Sequence, residues 1–128
     1  MTGFDQVLSV RAGVRAEAIR NIPSTLDIFA THFPRFPVLP GVLILDELAA
    51  VARLALGDPG DGCWLLAEAH RVRYRRYVEP GDQLVLAAQV VEARACDAVC
   101  QGVARVDGRT VATVRELRMT RIATREEV

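Results

Sequence analysis

Lysine is missing from this sequence altogether; all sixteen basic residues are arginine. That excludes a Schiff-base lysine and the phosphate-gripping lysine of a Walker-type loop. Cysteine is scarce and odd in number. Cys63, Cys96 and Cys100 have no CxxC spacing, which argues against a zinc site or a disulfide framework and for reduced thiols. Net charge is also missing: sixteen arginines meet sixteen acidic residues, giving a formal charge of zero. A dedicated nucleic-acid binder normally carries a basic excess, so none is expected as partner. Neutrality with 51% apolar residues favours self-association instead. The longest apolar stretch, residues 42–56, is broken by Asp46, Glu47 and Arg53. It is too short and too charged for a bilayer, so no membrane partner is expected. Residues 1–9 have no basic segment leading into an apolar core, and a cytoplasmic location is the expectation.

What is present reads as one domain over residues 1–128. A chain of this length buries roughly two-thirds of its unfolded surface. Residues 4–10 and 14–22 read as a strand pair, the second alternating Val14, Ala16, Ala18 with Arg15 and Glu17. Pro40-Gly41 opens the one convincing helix, and Gly57 is its natural stop. Nearly every position between them is apolar, so the helix is expected to be buried on all sides, within a curved sheet. Strands follow at residues 63–78, 83–95, 98–106 and 110–119, broken by the turn residues Pro80-Gly81-Asp82 and Asp107-Gly108. Residues 120–128 are expected to fray. The class is α+β, an antiparallel sheet around one central helix.

The segment Thr31-His32-Phe33-Pro34-Arg35-Phe36-Pro37-Val38-Leu39-Pro40-Gly41 carries three prolines in seven positions, which stiffen the approach to the helix. It offers one imidazole, His32. The helix offers Asp46, about a turn and a half inside. A carboxylate buried there would hold its proton and serve as an acid. Glu47 lies about 100° around the helix and reads as structural or interfacial. Arg53 shares the face of Asp46 and reads as a surface or partner contact. His70 reads as a structural strand residue.

The pattern HFPxxPVxPGVLxxD from His32 to Asp46 resembles the β-hydroxyacyl-acyl-carrier-protein dehydratases of fatty-acid and polyketide synthesis. Residues 72–84, with their PGD turn, and residues 106–112 continue the resemblance. Departures fall at Thr31, Arg35-Phe36 and Tyr77. The resemblance implies a hot-dog fold and a lyase that converts 3-hydroxyacyl thioesters to trans-2-enoyl thioesters. It implies His32 as base and Asp46 as acid, with the Gly41 N–H polarising the thioester carbonyl and the Val38 carbonyl orienting the imidazole. Glycine at 41 is expected to let substrate approach the backbone closely. Phe33 is expected to line the acyl site. No metal or cofactor is implied; the substrate rides on the phosphopantetheine of acyl carrier protein. The basic stripe Arg71, Arg73, Arg75 and Arg76 reads either as the docking site of that acidic carrier or as a solvated strand face. A homodimer, or a heterodimer with a related hot-dog subunit, is implied, with larger oligomers open. Two rival functions stay open: a hot-dog thioesterase, and a non-catalytic subunit that completes an active partner.

Overall fold

Small and branched residues at every second position give the strands their two faces. In the computed structural model, which describes residues 3–23, 38–57, 60 and 62–123, six strands and one helix follow in order. They are β1 (Gln6–Arg11), β2 (Arg15–Asn21), α1 (Gly41–Leu56), β3 (Gly62–Tyr74), β4 (Gln83–Ala93), β5 (Asp97–Val106) and β6 (Arg109–Ala123). All pairings are antiparallel, in the order β1-β2-β4-β5-β6-β3. The Asp107-Gly108 turn expected between β5 and β6 is there, with φ of 51° and 75°, the left-handed pair such a two-residue turn requires.

One cross-strand row shows how the inner face is made. Ala18 pairs with Leu86, Leu86 with Ala104, Ala104 with Ala112, and Ala112 with Tyr74. The first four of these side chains are fully buried. Opposite them lies α1, whose Leu48, Val51, Ala52 and Ala55 have no exposed surface. Small residues let helix and sheet approach closely. A Cβ on Gly102 of β5 would stand 3.3 Å from a Leu48 methyl, so glycine makes room for that leucine. Burying one leucine side chain such as Leu48 stabilises the fold by about 2–3 kcal/mol.

The helix runs as expected from Gly41 to Leu56, and Gly57 ends it with φ 84° and an N–H donated to the Arg53 carbonyl. Its burial corrects the expectation. The sheet covers one side only, and Val42, Asp46 and Arg53 on the other side are exposed. Two more boundaries differ. Strand β3 stops at Tyr74 rather than 78, and β6 continues to Ala123, so residues 120–123 are strand rather than frayed tail. The cause is pairing: the β3 residues 62–65 face residues 120–123 and supply their hydrogen-bond partners.

Strand β3 also changes phase. Ala69 pairs with Leu117 and Val72 with Val114, and both core residues of β6 are buried although three residues apart. Within this step Arg71 takes φ 57°, a left-handed conformation that costs a non-glycine residue about 1 kcal/mol. After it, Val72 and Tyr74 share the row that faces the helix, and Arg73 turns outward.

Among the described residues the inner face holds one ion pair. Arg20 occupies an inward position of β2, and its guanidinium meets the Glu47 carboxylate of α1 at 2.9 and 3.0 Å. Both side chains are 8% exposed. A third guanidinium nitrogen donates to the Gly3 carbonyl, and the Phe4 ring lies 5.1 Å below the charge. Removing one partner strands the other. Glu47→Ala is therefore expected to lower unfolding free energy by about 3–5 kcal/mol, read from urea denaturation. A change under about 1 kcal/mol would mean the arginine finds water or another acceptor.

Candidate active site

The site begins where the loop becomes helix. Val38 and Leu39 are buried at 8% and 4%, and the Leu39 N–H donates to the Val78 carbonyl at 2.7 Å. This bond ties the entrance of α1 to the segment between β3 and β4, where Val78 is fully buried. Pro40 precedes the first helical residue, Gly41. No side chain caps this end and its first turn holds no acid. Among the described residues nothing accepts from the Gly41 and Val42 N–H groups. Free donors at the positive end of a helix dipole are suited to a developing negative oxygen.

Asp46 lies five residues into α1, on its open side, and is exposed. Its neighbour Glu47 points the other way, 6% exposed and held by Arg20. The expectation that Asp46 is buried by its own chain is thus overturned. One residue step rotates about 100° around the helix, and that rotation sends the two carboxylates to opposite sides. Arg53 is exposed on the same side as Asp46, and no ion pair joins them among the described residues. His32 and Phe33 lie outside the described residues. The structure therefore places Val38, Gly41 and Asp46 along one helix entrance and says nothing of the imidazole.

Gly41 also has a reason within the chain. A Cβ there would stand 2.6 Å from Cζ and 2.8 Å from Cε1 of Tyr74. What approaches the backbone so closely is a ring of the same protein. Tyr74 was legible only as one more residue of an alternating strand. The signal that could have singled it out was its place in that strand, thirty-three residues beyond the glycine it touches.

The basic stripe divides. Arg71, Arg73 and Arg75 line a groove of about 1030 Å³ together with Arg115 of β6, on the outer face where Gln101, Val103 and Thr113 also point. None of these four arginines has a carboxylate partner among the described residues. Arg76 instead lines a separate cleft with Tyr77 and Asp107. Arg115 was missed because it enters from the neighbouring strand. His70 is half exposed at the surface, with Nε2 3.1 Å from a Glu68 oxygen, and the imidazole beside Glu68 holds that carboxyl below its ordinary range. Cys63 and Cys96 are exposed, and Cys100 is buried, its thiol pushed up to about 11 by burial. No described helix is long and apolar enough to cross a membrane.

The pattern of the ApeI-like family, described as ApeI dehydratase, matches residues 9–113. The chain belongs to the ApeI-like dehydratase family. The 3-hydroxyacyl-(acyl-carrier-protein) dehydratase FabZ of Bacillus subtilis (strain 168) is 37% identical over 113 residues, which is 86% of this chain and 80% of that protein. FabZ of Listeria monocytogenes serovar 1/2a (strain ATCC BAA-679 / EGD-e) is 37% identical over 107 residues, 81% of this chain and 74% of its own. Among solved structures, smu.793 from Streptococcus mutans UA159, bound to acetyl CoA, superposes with a TM-score of 0.73 at 13% identity, over 98% of this chain and 94% of that one. The dehydratase heterocomplex ApeI:P from Xenorhabdus doucetiae gives 0.65 at 22% identity, over 86% and 88%. The fold is the hot-dog fold, as the resemblance implied.

The Gly41–Tyr74 contact makes a prediction. Gly41→Ala must push the ring aside, and overpacking of this kind costs about 1–3 kcal/mol. In a Tyr74→Ala background the same change should cost nothing, because the space is free. A double-mutant cycle by thermal unfolding reads the coupling; equal costs in both backgrounds would mean the ring does not sit on Gly41.

Proposed function

We propose that this dehydratase acts on 3-hydroxyacyl thioesters carried by the phosphopantetheine of an acyl carrier protein, in fatty-acid or polyketide synthesis. The observation that carries the reading is the seat of Asp46: a carboxylate on the open side of α1, about a turn and a half from an uncapped entrance, in a chain of a dehydratase family. The substrate named for the FabZ relatives is of the same class.

The elimination divides among the residues as follows. His32 takes the proton next to the thioester carbonyl, a task suited to a base with a reference pKa near 6.5. The electron pair moves onto the thioester oxygen, which the Gly41 N–H and the helix dipole stabilise. The carbon–oxygen bond at the third carbon then breaks, and Asp46 delivers a proton to the hydroxide, which leaves as water. The Val38 carbonyl orients the imidazole, and Phe33 lines the acyl chain. No metal, nucleotide or flavin takes part.

The exposure of Asp46 supports a second subunit as part of the site. Two open features of the chain support this. The edge of β3 that has no strand partner among the described residues is a template for another strand, and the open side of α1 carries Val42 at 62% exposure. A second copy, or a related hot-dog chain, laid along β3 brings its own loop to this helix and excludes water around Asp46. His32 of one subunit then serves Asp46 of the other. The acidic carrier docks on the groove of Arg71, Arg73, Arg75 and Arg115, with Arg76 beside it.

The test follows enoyl absorbance and free thiol after adding a 3-hydroxybutyryl carrier thioester. Enoyl formation without thiol release is expected; thiol release would replace the reading with a thioesterase, and neither with a silent subunit. His32→Ala and Asp46→Asn should each reduce turnover by about a hundredfold or more at an unchanged unfolding midpoint. Unfolding the two variants together and refolding them should recover up to about a quarter of wild-type activity, since half the dimers are mixed and each has one intact site. No recovery would place both residues of a site on one subunit.

A second prediction concerns docking. Arg73→Glu with Arg75→Glu should raise KM for the carrier-borne substrate by about tenfold, more than for the same acyl group on free pantetheine. Equal effects on both substrates would make the groove a solvated face.

A further inference from the structure

Tyr74 ends the inward row Ala18–Leu86–Ala104–Ala112, yet it is not a core residue, being 48% exposed. Its ring lies against Gly41 while the residue as a whole stays half-exposed. The ring atom nearest the position of a Gly41 Cβ is Cζ at 2.6 Å, with Cε1 and Cε2 at 2.8 and 3.0 Å. Cζ bears the hydroxyl, so the polar tip of the side chain, not its stem, lies over the first residue of α1. The phase change at Arg71 puts it there: without that step Arg73 would face the helix and Tyr74 the solvent. At the same entrance the Gly41 and Val42 N–H groups have no acceptor among the described residues. The hydroxyl-bearing end of the ring therefore lies over the same helix entrance as these backbone donors.

We infer that Tyr74 positions the substrate: its ring walls one side of the helix entrance, and its hydroxyl donates to the thioester oxygen alongside the Gly41 N–H. The inference rests on the dehydratase reading above and adds to it a side-chain donor. Burial pushes the Tyr74 phenol above its ordinary value, so it keeps its proton throughout the working range. The hydroxyl makes no covalent step; it accepts no proton and gives none up. It strengthens a hydrogen bond as negative charge builds on the oxygen, which speeds enolate formation rather than binding.

The experiment compares wild type with Tyr74→Phe, which keeps the ring and removes the donor. Turnover of the 3-hydroxybutyryl carrier thioester should fall by about tenfold or more in kcat, with KM little changed and the unfolding midpoint unmoved. A butyryl thioester, which has the carbonyl but nothing to eliminate, gives a readout apart from turnover. Its bound carbonyl stretch should lie below the free value in wild type and move back up in Tyr74→Phe. A carbonyl unshifted in wild type, or one unshifted by the substitution, overturns the inference, as does an unchanged kcat. Should wild type itself fail to form the enoyl thioester, the dehydratase reading falls and this one with it. Should wild type be active and Tyr74→Phe match it, only the role of Tyr74 falls.

Discussion

The ion pair between Arg20 and Glu47 holds the central helix to one rotation. Leu48, seated against Gly102, and the buried Val51 give a steric reason for that rotation. Ala49, Ala52 and Ala55 alone would let α1 roll. A buried carboxylate with a single cationic partner does not. Turning Glu47 away from Arg20 would leave two charges unpaired in the core, at a cost of several kcal/mol. Ion pairs of this kind add little net stability over apolar residues of the same size, and their best-attested role is to fix register. Here the register they fix is the azimuth of Asp46. With Glu47 held inward, the residue before it must look out. The guanidinium also holds Gly3 and lies over Phe4, so the chain's first described residues depend on the same group.

Local signals were legible and long-range ones were not. The helix could be read from Pro40-Gly41 to Gly57 because its start and stop are made by residues within one turn of its ends. The Asp107-Gly108 turn was legible because its dihedral angles demand those residue types. An antiparallel sheet around one helix followed from a single apolar helix in a strand-rich chain, and the hot-dog fold from the resemblance carried by His32 to Asp46. By contrast, the burial of Asp46 depended on what covers each side of α1. Apolar residues all round the helix suggested a complete wrap, but the chain's own sheet supplies only half of one. The end of β6 depended on its partner: residues 120–123 carry little strand signal of their own and are ordered by residues 62–65.

The same limit explains Gly41 and the arginines. A glycine at a helix entrance beside the candidate catalytic loop invites a ligand as the reason for its missing side chain. The chain supplies a reason of its own in Tyr74, which a reader of the sequence could reach only by knowing the register of β3 against β6 and the phase step at Arg71. The stripe at 71, 73, 75 and 76 is regular in sequence, but regularity stops at the strand end. Arg76 falls into another cleft, and Arg115 arrives from β6 to complete the groove. Sequence spacing grouped residues along one strand, and the surface groups them across two.

What the chain leaves uncovered is as informative as what it buries. The side of α1 facing the sheet is lined by small residues that bring helix and strands close. The opposite side keeps Val42, Asp46 and Arg53 in the open, and among the described residues β3 keeps one edge unpaired. Under the proposed function these are two parts of one arrangement, since the body that pairs with β3 also dries the acid. Activity would then depend on assembly in a way that stability of the single fold does not. The core around Leu48, Leu86 and Leu117 is complete within one chain. Diluting the enzyme would therefore remove the site before it unfolds the protein, because mass action governs the contact that shelters Asp46 and not the contacts that hold the sheet.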